Sequence, residues 1–396
     1  MKLEKVVIVG GCGHVGLPLG LVLASTGYKV TALDIFQKKV DLVNSGAMPF
    51  QEIGASELLK KSLENKSFLA STDKNVLIEA QIVIIVIGTP VDEFLNPDPN
   101  IVTNLIFDYL PFLKEDQLLI LRSTVFPGVT QKVRDILKEN GLNLDIAFCP
   151  ERILEGQAIN EIKTLPQIIG AETDSAISRT VKLFEKIGAE TIVVNFMEAE
   201  LAKLFTNVWR YIKFATANQF WVMSNEAGLD FSRILNAITR NYPRANDLPN
   251  AGFTAGPCLL KDTMQLAAFS DNNFQLGHTA MLLNEGLPLY IVNKIEARFD
   301  LSKLVVGILG MAFKGNSDDK RSSLAYKLKK ILKFKARDVI TSDYMISDDS
   351  NLVSQIDLLE KSDIIIIGAP HDNYKKLLTD KPVIDIWNIL NKGNQI

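Results

Sequence analysis

Four residues have types and spacings suited to covalent chemistry. Cys258 closes a glycine-rich loop, Asn250-Ala251-Gly252-Phe253-Thr254-Ala255-Gly256-Pro257-Cys258, which runs into the amphipathic pattern Thr263–Phe269. Loop followed by helix puts the thiol just before a helix N-terminus, where the aligned peptide dipoles favour a thiolate. Asp262 comes about one turn later, close enough to position a water or a proton. Lys203 and Asn207 lie i, i+4 within a long helical pattern from Glu198 to Ala227 that contains neither Pro nor Gly. They share one helix face, and their apolar neighbours can bury one or both beside something polar. Each feature also has a plainer reading: a lone cysteine is more often a buried structural thiol, and Lys and Asn are most often surface residues.

The elements that would carry these residues follow from periodicity. Residues 5–10 form an apolar strand, followed by Gly11-Cys12-Gly13-His14-Val15-Gly16 and then the helical stretch Leu17–Thr26. In this GxGxxG, Gly11 permits a tight turn, Gly13 lets backbone approach a pyrophosphate and Gly16 allows close helix–strand packing. The helix N-terminus, with His14 and Val15, faces the phosphates. The next strand, Lys29–Asp34, ends in an acid that suits a ribose 2′-hydroxyl and repels a 2′-phosphate, which favours NAD over NADP. Gln81–Gly88 is a continuous apolar run of the buried parallel kind and ends in Thr89-Pro90, where open α/β sheets bind ligands. Leu118–Leu121 delivers Arg122 and Thr124; Leu144–Phe148 delivers Glu151 and Glu155; Leu165–Gly170 and Glu190–Val194 read as the last strands of this region.

After about Leu301 strand–helix alternation restarts, with strands over Lys303–Gly310, Asp338–Asp343, Ser362–Gly368 and Lys381–Trp387. This second α/β region lacks a complete glycine fingerprint, so it either binds a different ligand or serves as a structural cap. Lys314 and Arg321, near strand ends, suit a phosphate or carboxylate. The fold class expected is α/β: two doubly wound Rossmann-like domains joined by a long central helix and a small helical domain. The expected boundaries are 1–195 for NAD binding, 196–300 for the helical domain with the cysteine loop, and 301–396 for the second α/β domain.

Composition narrows the function classes. The 396 residues are 47% hydrophobic and 22% charged with a net charge of -3, which gives no nucleic-acid footprint. The run Lys327–Lys335 alternates with apolar residues at helical spacing and reads as a solvated helix face. Three cysteines and three histidines are too few and too scattered for a disulfide framework or a metal site. The N-terminal apolar run is a strand rather than a signal peptide, and no apolar stretch reaches membrane-spanning length, so a reducing cytoplasmic setting is the default.

Taken in order, the pieces resemble the UDP-glucose/GDP-mannose dehydrogenase family of NAD-dependent nucleotide-sugar 6-dehydrogenases, over essentially the whole chain. Gly11–Gly20 looks like its GxGxVGLPLA start. Gly88-Thr89-Pro90, Ser123–Gly128 and Pro150–Gly156 look like its GTP, STVxPG and PExxxEG motifs. Lys203–Asn207 looks like its KxxxN helix, Cys258–Asp262 its CxPKD loop, and Gly310–Lys314 with Asp318–Arg321 its AFKxxxxDxR segment. The chain departs from the family before the thiol, where Ala255-Gly256-Pro257 stands for a GGx pattern, and at Leu260, which replaces the loop proline. Both departures lie where the sugar belongs.

The resemblance implies oxidation of a sugar C6 alcohol to a carboxylate by two hydride transfers, with Cys258 forming a thiohemiacetal and then a thioester. Lys203 and Asn207 would meet the C6 oxyanion, and Asp262 with Thr124 would orient the water. Glu155 would be general base, and Glu151 would hold a lysine or a water network. Phe253, Gly256, Lys261, Lys314 and Arg321 would contact substrate. Arg244, with Arg240 second, would reach the substrate of a neighbouring subunit in a homodimer built on the central helix. The substrate would be a UDP-sugar, UDP-glucose or a UDP-N-acetylhexosamine, in polysaccharide biosynthesis. Two other readings stand against this one. A two-electron β-hydroxyacid-type dehydrogenase would need neither Cys258 nor the second α/β domain, and a catalytically silent NAD- or sugar-nucleotide-binding protein would not need Lys203, Asn207, Cys258 and Asp262 together.

Overall fold

A computed structural model describes residues 4–92, 94–254 and 256–396; Ala255 of the cysteine loop lies outside them. The chain divides into two compact units, one ending at Thr206 and the other running from Asn207 to Ile396. In the first unit the elements are β1 (Lys5–Val9), α1 (Gly16–Ser25), β2 (Lys29–Leu33), α2 (Gln37–Asn44), α3 (Ala55–Glu64), β3 (Phe68–Ser71), β4 (Ile82–Ile85) and α4 (Asn100–Tyr109). They continue as β5 (Leu118–Leu121), α5 (Val129–Glu139), β6 (Asp145–Phe148), α6 (Ala158–Thr164), β7 (Gln167–Ala171), α7 (Asp174–Glu185) and β8 (Thr191–Val194).

The eight strands form one sheet in the order β3-β2-β1-β4-β5-β6-β7-β8, parallel except for the β6/β7 pair. Alternate residues of β1 serve two cores: Val6 and Ile8 pack with Leu17 and Leu21 on one face, Val7 and Val9 with Ile106 and Val133 on the other. This two-sided burial is why β4 and β5 are unbroken Ile/Val/Leu runs. Strand order reverses between β1 and β4, the crevice position for a dinucleotide. The register aligns Val9 with Leu33 and Ile85, Ile85 with Leu121, and Leu121 with Phe148. The residues that follow each strand, Gly10, Asp34, Arg122 and Cys149, therefore emerge along one edge of the sheet.

A single 31-residue helix, α8 (Phe196–Glu226), begins in the first unit and ends in the second. The second unit then contains α9 (Phe231–Thr239), α10 (Leu259–Phe269), α11 (Gln275–Glu296), β9 (Val305–Leu309), α12 (Leu324–Lys335), β10 (Asp338–Ser342), α13 (Gln355–Lys361), β11 (Ile364–Ile367) and β12 (Val383–Ile384). Its sheet, β10-β9-β11-β12, is wholly parallel. The last strand is two residues long, not the seven expected over Lys381–Trp387. Pro382 has no N–H to add to the ladder, and the Asp385 carboxylate turns the chain by accepting the Leu390 N–H.

The two sheets begin alike. Gly10 takes φ +79° and donates to the Leu33 carbonyl at 2.8 Å; Gly310 takes φ +88° and donates to the Ser342 carbonyl at 2.8 Å. In each case the acid after the second strand, Asp34 or Asp343, accepts amides from the turn.

Inside the second unit a buried amide network fixes the start of the cysteine loop. Asn218 of α8 donates to Asn284 Oδ1 of α11 at 2.9 Å and accepts the Gly252 N–H at 2.9 Å, while Asn284 donates to the Tyr211 carbonyl at 3.2 Å. The Trp387 ring lies so close over Gly252 that any Cβ there would collide with it. Asn284 is fully buried, so Asn284→Ala leaves the Asn218 side-chain amide without its acceptor and removes the second bond to the Tyr211 carbonyl. The expected outcome is a loss of about 1–3 kcal/mol for the stranded amide, seen as a lower melting temperature in thermal denaturation.

Candidate active site

The glycine turn between β1 and α1 has the form a pyrophosphate needs. The positive φ belongs to Gly10 rather than to Gly11, which instead packs flat against Ala32 of β2. A Cβ on Gly16 would sit 2.5 Å from the Gly10 carbonyl, so α1 can start this close to the turn only from glycine. A Cβ on Gly13 would meet only that carbonyl, at 3.4 Å, which leaves this side of the turn accessible. Val15 is the residue before the first turn of α1. The His14 ring stacks on Phe50 with centroids 4.0 Å apart. Asp34 is buried at the end of β2, accepting the Cys12 N–H at 3.0 Å and the Phe36 N–H at 3.2 Å. These residues fit a dinucleotide: an open glycine cradle at a helix N-terminus, with a fixed carboxylate one strand away. At the ends of β4 and β5, Thr89 Oγ1 donates to the Thr124 carbonyl at 2.6 Å, which brings these two predicted residues together; Pro90 is exposed.

Lys203 and Glu151 also meet, by a route not anticipated. The Glu151 carboxylate receives the Arg122 guanidinium, Nε at 2.8 Å and Nη2 at 2.5 Å, on Oε2, and the Arg152 and Ile153 amides on Oε1. Lys203 Nζ instead donates to the Glu151 backbone carbonyl at 2.5 Å. Arg122 is completely buried and also donates to Gln167 Oε1 at 3.0 Å and to the Cys149 carbonyl at 3.2 Å. Nearby, Glu200 of α8 accepts the Gly128 and Thr130 amides at 2.6 and 2.8 Å, capping α5. Burial pushes the Glu200 carboxyl above its usual range despite those bonds. Glu155, partly buried, follows in the same loop as Glu151.

In the second unit, Cys258 is the residue immediately before α10 and is exposed. Beneath it, Asp262 is fully buried in the first turn and donates its amide to the Cys258 carbonyl at 2.9 Å. Asp262 Oδ2 accepts the Asn207 amide at 2.5 Å, and Lys261 Nζ lies 3.2 Å from Oδ1. Oδ1 accepts no hydrogen bond from the described residues, which leaves acceptor capacity on a buried carboxylate. Lys203 and Asn207, four residues apart on α8, project from the same side of that helix.

The loop before the thiol rests on the second sheet's turn. Gly256 takes φ +102°, and a Cβ there would stand 2.7 Å from the Phe313 ring. Its N–H donates to the Ser322 carbonyl at 3.4 Å. Phe253 is buried, edge-on to Trp387. Phe313 is held in turn, because the Met311 and Ala312 amides reach Asp343, which also pairs with buried His371 at 3.0 Å. Burial works against the charge on Asp343, yet the His371 contact and the amides leave its carboxyl below the usual range. Of the predicted substrate contacts, Arg321 forms a forked pair with Asp319, Lys314 lies over the Phe313 ring at 5.7 Å, and exposed Arg244 donates to the Tyr242 hydroxyl at 2.8 Å. Arg122, Gln167 and Glu200 carried no assigned role in the sequence reading. Arg122 alone had a signal, a charged residue ending an apolar strand.

An NAD-type sheet switch point, a buried lysine on the Glu151 carbonyl and an exposed helix-terminal thiol suit an NAD-dependent oxidoreductase acting on a CH–OH group. Three family models match in order: the UDP-glucose/GDP-mannose dehydrogenase family NAD binding domain over residues 4–188, its central domain over 197–285 and its UDP binding domain over 307–392. The chain belongs to the UDP-glucose/GDP-mannose dehydrogenase family. It is 29% identical to a UDP-N-acetyl-D-mannosamine dehydrogenase from Methanococcus vannielii, covering 98% of this chain and 94% of the relative. It is 26% identical to an NDP-N-acetyl-D-galactosaminuronic acid dehydrogenase from Ralstonia nicotianae, covering 95% and 93%. Among solved structures, that of a Pyrococcus horikoshii UDP-D-ManNAc dehydrogenase superposes with a TM-score of 0.91 at 26% identity, covering 98% of this chain and 96% of that one. A Pyrobaculum islandicum UDP-glucose dehydrogenase gives 0.90 at 25%, covering 97% and 94%. No helix of the described residues is long and apolar enough to cross a membrane.

The three thiols differ sharply. Burial and the negative charge of Asp34 push the Cys12 thiol up to about 12, and burial pushes Cys149 up to about 12 against the pull of Arg122. Iodoacetamide at neutral pH is therefore expected to alkylate the native protein once, at Cys258. Peptide mass spectrometry checks this, and comparable labelling of Cys12 or Cys149 would contradict it.

Proposed function

We propose that this enzyme oxidises the C6 alcohol of a UDP-N-acetylhexosamine to the carboxylate in two steps, with Cys258 holding the carbon between them. The observation that carries this reading is the pairing of an exposed thiol at the start of α10 with a buried carboxylate one turn beneath it. A two-electron alcohol dehydrogenase has no use for that pair. NAD bound at the glycine turn would supply the hydride acceptor.

The protein's own residues then divide the work. The Lys203 ammonium and the Asn207 amide suit the oxygen on C6, which carries negative charge whenever a nucleophile adds. Loss of one hydride to NAD and of the hydroxyl proton to solvent gives an aldehyde, and the Cys258 thiolate adds to it as a thiohemiacetal. A sulfur-bound carbon can lose the second hydride to become a thioester. Water then adds, the C–S bond breaks and the thiolate is regenerated. Asp262, with Thr124, orients that water, and Glu155 takes its proton. The Glu151 carboxylate is engaged by Arg122, so its part is to present its carbonyl to Lys203.

Residues 301–396 would take the nucleotide, with Lys314 and Arg321 toward phosphate; Phe253, Gly256 and Lys261 would line the sugar, and residues 1–195 and 196–300 would serve NAD and the thiol. The names of the N-acetyl-D-mannosamine dehydrogenases above favour an N-acetylated C2 over the hydroxyl of glucose. A homodimer through α8, with Arg244 reaching a neighbour's substrate, is supported by the exposed stripe of Phe205, Trp209, Phe220 and Met223, which are 53%, 56%, 41% and 59% exposed. A reducing cytoplasm would keep Cys258 a thiol.

The test is stoichiometric. With NAD and a panel of UDP-N-acetylmannosamine, UDP-N-acetylglucosamine, UDP-glucose and GDP-mannose, about two NADH should form per sugar consumed from the two-step chemistry, and Cys258→Ser should nearly abolish turnover. One NADH per sugar, or wild-type turnover in Cys258→Ser, would support a β-hydroxyacid-type dehydrogenase instead; no turnover with any of them would point to a silent binding protein.

A further inference from the structure

The loop from Glu151 to Gly156 carries the proposed base, and its amides are nearly all captured by carboxylates. Arg152 and Ile153 donate to Glu151 Oε1 at 2.7 and 3.0 Å, and Leu154 donates to Glu161 Oε2 at 2.6 Å. The remaining capture comes from far away in sequence. Glu52 Oε2 accepts the Gly156 N–H at 2.9 Å, and Oε1 accepts the Ile159 N–H at 3.4 Å. The Ile53 N–H completes the clamp by donating to the Gly156 carbonyl at 3.4 Å. The residue directly after Glu155 is thus gripped through both its backbone groups, at φ +88°, a conformation that glycine adopts without strain.

The gripping segment is itself anchored. Met48 and Phe50 pack on the same core cluster as Ile153 and Ile159, and Phe50 stacks on His14 of the glycine turn. Segment 48–54 therefore joins the cofactor turn to the loop that carries Glu155. We propose that Glu52 is a positioning residue for the hydrolytic half of the reaction: by holding Gly156 and Ile159 it sets where Glu155 meets the water that attacks the Cys258 thioester. This rests on the reading of Glu155 as general base. In that step water oxygen bonds to the acyl carbon, the C–S bond breaks with its electron pair going to sulfur, and the water proton passes to Glu155. Neither hydride transfer depends on the clamp.

That separation supplies the test. The full-length wild type, Glu52→Ala, Glu52→Gln and Glu155→Gln are mixed with NAD and the UDP-sugar that the wild type turns over, and NADH is followed by stopped flow. If hydrolysis is slowed, the thioester accumulates and a rapid burst of about two NADH per site precedes the steady state. Glu52→Ala is expected to show that burst with kcat lowered about 10- to 100-fold, the scale of a 1 Å misplacement, and an almost unchanged KM for NAD. Glu52→Gln keeps an acceptor oxygen for Gly156 and should recover most of the rate; melting curves identify any variant that is merely unfolded. Loss of rate in Glu52→Ala with no burst, or Glu52→Gln no better than Glu52→Ala, would overturn the proposal. A burst in Glu155→Gln alone would sink the clamp and leave the base intact, whereas wild-type turnover in Glu155→Gln would remove the base on which the clamp depends.

Discussion

A charge with no water around it has to be paired, and Arg122 is such a charge. It ends β5 inside the first unit with no exposed side-chain surface, so the Glu151 carboxylate, the Gln167 amide oxygen and the Cys149 carbonyl have to surround it. Removing one partner of a buried pair leaves the other charge uncompensated, which costs about 3–5 kcal/mol. That penalty fixes Glu151, and a fixed Glu151 aims its carbonyl at Lys203 and shapes the loop that carries Glu155. The second unit obeys the same rule: Asp262 is buried against Asn207 and Lys261, and its position sets the first turn of α10 beneath Cys258.

The loop before Cys258 depends on close approach as much as on charge. Gly252 lies under Trp387 and Gly256 under Phe313, with no room for a side chain at either. Phe313 belongs to the turn that Asp343 and His371 secure at the end of β9 and β10. This gives the Gly256-Pro257 spelling ahead of the thiol a physical context: the required glycine is the one against Phe313. The second sheet thus reuses the first sheet's opening, Gly310 for Gly10 and Asp343 for Asp34, while Met311, Ala312 and Phe313 follow Gly310 where Gly11, Cys12 and Gly13 follow Gly10.

Much of this was legible in the sequence because it is local. The apolar runs of β4 and β5, the strand–glycine–helix start, the long helix through Lys203 and Asn207, and the loop-to-helix step at Cys258 each announce themselves within a few residues. What was not legible is pairing over distance. Glu52 meets a loop 104 residues away, and Arg122 takes its carboxylate from 29 residues on, with no periodicity to mark either. The assignment of the turn to Gly11 missed by one position: Gly10 carries the positive φ, and a Cβ there would stand 2.4 Å from the Val86 carbonyl, a contact that no local pattern marks. The over-long last strand failed because an apolar run does not reveal that Pro382 and Asp385 cut its ladder short.

The proposed mechanism requires the sugar C6 carbon to stay bonded to Cys258 from the first oxidation, through the second, until hydrolysis. The most direct measurement is mass spectrometry of the Glu155→Gln protein, acid-quenched during turnover with NAD and the UDP-sugar substrate. The expected result is a protein mass increased by one oxidised nucleotide-sugar acyl group, mapped to the peptide that contains Cys258. Rapid NADH formation with an unmodified Cys258 would contradict it.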